Sequence, residues 1–165
     1  MTDIPDRVRR AFRDHDGFEP APDPGTFAAT TTPFRAEASA AERSDGAIGF
    51  EVVVRAPTLS VAAEDRVAAV VEEGWYETFE LRVSDAGSVT RADREIEPAV
   101  RRAGDEVVVE TSYADLDPRR GVADAMALVN FVEGTYVQGV IPGYEYGEPV
   151  AGLLAEARRA AGAED

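Results

Sequence analysis

The segment FRAEASAAERSDGAIGFEVVV, residues 34–54, decides the fold. Phe34, Ala36, Ala38 and Ala40 alternate with polar residues, and Ile48, Phe50, Val52 and Val54 alternate again. A period of two places each set on one face of a strand. Ser44-Asp45-Gly46 lies between them, and Asp-Gly between alternating runs is a hairpin turn signal. The segment therefore predicts a β-hairpin with one face reserved for a core.

A second segment, EVVVETSYADLDPRRGVADAMALVNFVEG, residues 106–134, repeats the theme. Its strand, Glu106 to Tyr113, is expected to pair with Glu95 to Arg102 through the turn Ala103-Gly104-Asp105. Pro98 keeps the earlier strand short, bulged or at an edge. Asp117-Pro118 reads as an N-cap followed by proline at the first helical position. Val122, Ala125, Met126, Val129 and Val132 then form a helical stripe, predicted to stop at Gly134.

Between the two segments, Ser60 is a candidate cap for a helix reaching about Glu73. Ala63, Val67, Val70 and Val71 would form its buried face, and Gly74 its stop. Trp75 to Val83 reads as a strand, because Trp75, Phe79, Leu81 and Val83 share one parity, interrupted by Glu77. Residues 84–94 read as a polar connection. Residues 135–147, rich in Gly and Tyr and carrying Pro142-Gly143, read as a shaped loop. Pro149 opens a last helix with Val150, Leu153, Leu154 and Ala157 inward.

At the N-terminus, Ile4, Val8 and Phe12 line one face of a helix over residues 3–14. Glu19-Pro-Ala-Pro-Asp-Pro-Gly25 follows, and three prolines leave no room there for helix or ladder. This helix is therefore expected to dock loosely or to serve a partner. Thr26 to Thr32 adds a short strand. The expected organisation is an N-terminal helix and Pro-rich linker over residues 1–25 and an α+β domain over 26–165. That single domain would have a mostly antiparallel sheet of about five to six strands with two hairpins, packed by about three to four helices. Glu51-Val-Val-Val54 with Glu73-Gly-Trp-Tyr76 also aligns with Glu106-Val-Val-Val109 and Glu133-Gly-Thr-Tyr136, which suggests an internal hairpin–helix repeat.

The chain carries 32 acids against 17 bases, and every base is arginine. Such a surface repels itself in dilute buffer. At ~1 M salt the Debye length falls to ~3 Å and the repulsion is screened. The balance therefore suits a halophilic cytoplasm, with hydrated salt cations at the acidic surface. It argues against direct nucleic-acid binding, which needs a basic footprint. Cysteine is absent, so disulfides and cysteine-based zinc sites are excluded. No apolar run approaches the ~20 residues of a membrane span. A cytoplasmic protein is expected.

Candidate chemistry is sparse. The one histidine, His15, sits in Asp14-His-Asp16, and adjacent residues rarely aim at one ion. Beside a proline-rich stretch it is poorly placed as the base of a hydrolase triad. No Gly-x-Ser-x-Gly, phosphate loop or dinucleotide fingerprint is present. Asp115-Leu-Asp117 resembles part of a calcium loop but lacks the downstream Gly and Glu, and Asp117 is better read as a cap. No metal or cofactor is expected.

The aromatics are more informative. Trp75 and Tyr76 form one pair, and Tyr136, Tyr144 and Tyr146 gather in the Gly-rich stretch. Tyr and Trp combine contact area with a polar handle and favour recognition surfaces. Glu77 interrupts an apolar parity, and Arg82 ends the same run. Trp75, Tyr76, Glu77, Arg82, Tyr136, Tyr144 and Tyr146 are therefore the candidate binding residues.

The run Val71-Glu-Glu-Gly-Trp-Tyr-Glu-Thr-Phe-Glu-Leu-Arg82 resembles a signature of an uncharacterised haloarchaeal family of short acidic α+β proteins. So do Phe131-Val-Glu-Gly-Thr-Tyr136 and Ile141-Pro-Gly-Tyr-Glu-Tyr146. The resemblance implies a haloarchaeal origin and carries over no catalytic residue. The element order is also similar to small secretion-chaperone-like α+β folds that dimerise and bind peptides, an analogy of fold alone. The expected function is a protein-interaction or chaperone-like module with a protein partner or as a homodimer. The alternative is a small-molecule-binding protein or enzyme with a pocket near Trp75 and residues 135–147.

Overall fold

The computed structural model describes residues 4–91 and 94–163. The predicted start of the first helix at residue 3 and part of the 84–94 connection lie outside them. Six strands form one antiparallel sheet: β1 (Phe18–Pro20), β2 (Thr26–Ala29), β3 (Arg35–Glu42), β4 (Ile48–Pro57), β5 (Ala99–Ala103) and β6 (Glu106–Asp115). Their order is β1-β2-β3-β4-β6-β5. The helices are α1 (Asp6–Arg13), the single turn α2 (Leu59–Ala62), α3 (Ala69–Val83), α4 (Pro118–Gly139) and α5 (Val150–Ala163). The fold is α+β, as the two hairpins require.

The hairpin read from residues 34–54 forms as its alternation dictates. Ala36, Ala38, Ile48, Phe50, Val52 and Val54 are all buried on one face. Glu42 pairs with Ile48 across the turn, where Gly46 holds φ at +86°. β4 then pairs along its whole length with β6, and Val54 lies opposite Val109, its partner in the sequence alignment of the two halves. Each hairpin is followed by a helix, so the element order repeats. The matched helix ends do not correspond, because Gly74 lies near the start of α3 and Gly134 near the end of α4.

α4 is the central helix of the core. Asp117 caps it, its carboxylate accepting from the N–H groups of Arg119 and Arg120, and Pro118 stands at the first helical position. Val122, Ala125, Met126, Val129 and Val132 are buried as expected. The helix does not stop at Gly134 but runs to Gly139. Gly121 lets α4 lie directly on β4, since any Cβ there would run into the Phe50 ring. The Gly121 carbonyl accepts from the Tyr113 hydroxyl at 2.6 Å.

The strand expected at Trp75 to Val83 is a helix. Trp75, Phe79 and Val83 recur every four residues and are buried together, whereas Leu81 is 73% exposed and Glu77 faces solvent. The period of about 3.6 wins because the parity pattern was incomplete at Glu77. Gly74 is therefore inside α3 rather than a stop, and Val70, expected inward, is 79% exposed.

The N-terminal helix does not dock loosely. Val8 and Phe12 are fully buried, and Phe12 stacks on Phe27 of β2 at 4.3 Å and meets Phe18 of β1 edge-on at 5.3 Å. The proline-rich stretch turns a short hairpin, with Glu19 and Pro20 paired to Ala28 and Phe27. Proline is tolerated there because β1 is the sheet edge. The last helix begins at Val150, and Val150 and Leu153 are buried, but Ala157 is exposed.

Candidate functional site

α3 buries one face and leaves the neighbouring one open. Trp75 stacks with Phe79 at 5.8 Å and meets Tyr136 edge-on at 5.7 Å, which fixes α3 against α4. Beside this contact runs a groove of about 520 Å³. Val70, Gly74, Trp75 and Arg82 of α3 form one wall, and Gly139 to Ile141, where α4 ends, form the other. Gly74 opens the wall, because nothing lies within 4 Å of a Cβ placed there. The Trp75 Nε1 is buried and has no hydrogen-bond partner. An unpaired buried donor is unusual in a finished core.

Two of the seven candidate residues, Trp75 and Arg82, meet at this groove. Tyr76 turns toward β5, where its hydroxyl donates to the Val100 carbonyl at 3.2 Å and Arg102 covers its ring at 4.3 Å. Burial raises the Tyr76 hydroxyl above its usual pKa. Glu77 is exposed and does not line the groove. Tyr136 is a core residue whose hydroxyl donates to the Pro57 carbonyl at 2.9 Å, and burial pushes its pKa strongly up. Tyr144 and Tyr146 are half-buried near each other, and the Tyr146 hydroxyl donates to the Ile141 carbonyl. They shape the segment after α4 and do not line the groove.

A buried polar centre lies elsewhere, and the sequence did not reveal it. Arg94 is nearly buried between Asp115 and Asp124, whose side chains are 1% and 0% exposed. Its Nε donates to Asp124 at 3.1 Å, and Nη1 donates to the Ala114 carbonyl at 2.6 Å. The backbone N–H of Arg91 donates to the second Asp124 oxygen at 2.8 Å. Arg120 grips Asp115 with two bonds of 2.8 Å. Burial raises the Asp115 carboxyl, but the bonds from Arg120, the Asp117 N–H and Arg94 outweigh it and hold its pKa well below the usual carboxylate range. Asp115 and Asp117 are thus committed to an arginine pair and a helix cap. Among the described residues, no three His, Cys, Asp or Glu groups are placed to hold a metal ion.

A six-stranded antiparallel sheet with an open helix groove and a closed salt-bridge centre makes this a small α+β domain. The family of unknown function DUF5813 matches residues 13–156, and the chain belongs to that family. No curated protein and no solved structure matches it.

Proposed function

We propose that this chain is a protein-interaction module, chaperone-like in use, that receives an apolar helical segment of a partner in the groove beside α3. The carrying observation is the exposure of Val70 and Leu81, 79% and 73%, on a helix whose open side borders the Trp75 groove. Eleven residues separate them, about 17 Å along the axis, or three turns of a partner helix. Val70 lines the groove, and Leu81 lies outside its lining, three turns further along the same side of α3. Arg82 supplies a positive charge at the rim for an acidic residue of the partner. A homodimer through the same groove is one form of this reading.

The acidic surface supports a setting in a salt-rich cytoplasm. Salt screens charge pairs but leaves apolar contacts intact, so recognition by burial is the mode that works there. Dilution from molar to ~0.01 M salt lengthens the Debye length from ~3 to ~30 Å. The expected result is a lower midpoint of thermal unfolding at each step of dilution, followed by circular dichroism. An unchanged midpoint would remove the salt-rich setting.

The groove volume also falls in the ~300–1,000 Å³ range of small-ligand sites. That alternative is weaker, because Glu77 and Tyr144 do not converge on it. The test is capture of partners in multimolar potassium chloride by the wild type and by a Val70→Glu, Leu81→Glu variant. Both positions are exposed, so the variant should fold. Partners held by the wild type and lost by the variant are expected. Equal retention by both would reject the groove as the docking site.

A further inference from the structure

A second cleft lies between α1 and the β1–β2 hairpin. Arg9 and Arg13 are four residues apart on α1 and therefore share a face. Both line a cleft of about 150 Å³. Its other wall is the proline-rich turn, with Pro20, Asp23, Pro24 and Phe27. Proline fixes this wall, and the turn is closed by the Ala21 N–H donating to the Thr26 carbonyl at 2.9 Å.

Two features of this cleft are unexpected. Acids outnumber bases almost two to one in this chain, yet among the described residues neither Arg9 nor Arg13 has a carboxylate within ion-pair distance. The Arg9 Nε is also buried with no hydrogen-bond partner. A buried guanidinium donor without an acceptor is unfavourable, and two like charges at this spacing repel.

We propose that this cleft binds a phosphate group. Two guanidinium groups offer the forked donors that oxoanions accept. An oxoanion between them would remove the repulsion. Asp23 selects among oxoanions. Its carboxylate repels a fully ionised anion but accepts a hydrogen bond from a protonated oxygen. Hydrogen phosphate has such a P–OH group and sulfate at neutral pH does not.

The test is a titration of the full-length protein with inorganic phosphate and, separately, with sulfate, at constant high potassium chloride, read from the Arg9 Nε–H resonance. A saturable shift with phosphate is expected, and weaker binding of sulfate. Arg13→Gln, at an exposed position, should weaken phosphate roughly 10-fold, the loss of one charged hydrogen bond. Asp23→Asn should erase the preference for phosphate over sulfate. Absence of a saturable shift, or equal phosphate affinity in the wild type and Arg13→Gln, would overturn the site. Equal affinity of the wild type for the two anions would overturn the role of Asp23.

Discussion

Asp124→Ala is expected to destabilise the protein by about 3–5 kcal/mol, because it strands a buried charge. Asp124 is fully buried and holds both Arg94 and the Arg91 N–H. Its removal leaves Arg94 with the Ala114 carbonyl and with Asp115, which Arg120 already grips. The effect should reach the chain on both sides, since Arg94 ties the segment after α3 to β6 and α4. Denaturant unfolding of the variant and the wild type in the same high salt measures it. A loss under about 1 kcal/mol, the value of an exposed pair, would show that the centre is solvated.

The same centre has an acid signature. The Asp115 pKa is depressed in the folded state, so its contribution is complete above the ordinary carboxylate value, about 4. It is lost only as pH falls through the lower folded value. The wild type should therefore stay folded to lower pH than Arg120→Gln, with its acid-unfolding midpoint at the lower pH of the two.

Phe12→Ala is the second large effect, expected at about 3–5 kcal/mol for truncating a fully buried aromatic. The Phe12 ring stacks on Phe27, meets Phe18, and lies 6.3 Å from Phe50. The substitution thus opens a cavity shared by α1, β1, β2 and β4. Stability by denaturant titration decides it. A small loss with unchanged cooperativity would mean that α1 is a detachable element.

Local signals carried much of this fold. Asp45-Gly46 and Asp117-Pro118 announce a turn and a helix start through backbone chemistry that needs no distant partner. The alternating runs of β3 and β4 fix which face is buried. α3 was not legible for two reasons. Its first residue, Ala69, follows Ala68, which offers no capping side chain. Its aromatic and β-branched content also imitates a strand, and only the four-residue recurrence of Trp75, Phe79 and Val83 separates the two readings. Gly134 reads as a stop, which puts Tyr136 in a loop rather than in the core where α4 carries it.

The candidate site was half legible. Trp75 and Arg82 were found through aromatic and charge content. Their neighbours Val70 and Gly74 read in the sequence as the buried face and the stop of a different helix. Arg94 could not have been found, because its carboxylate partners lie 21 and 30 residues away and no local pattern links them.

The docking groove is tested most directly at Gly74. Nothing lies within 4 Å of a Cβ there, and glycine inside a helix is less favourable than leucine by up to about 1 kcal/mol. Gly74→Leu should therefore leave the protein folded and at least as stable, while its side chain fills the groove beside Trp75. The measurement is binding of the captured partner to this variant, followed by fluorescence of Trp75, the single tryptophan of the chain. The account predicts a stable variant whose Trp75 emission no longer responds to the partner; a wild-type response and affinity would contradict it.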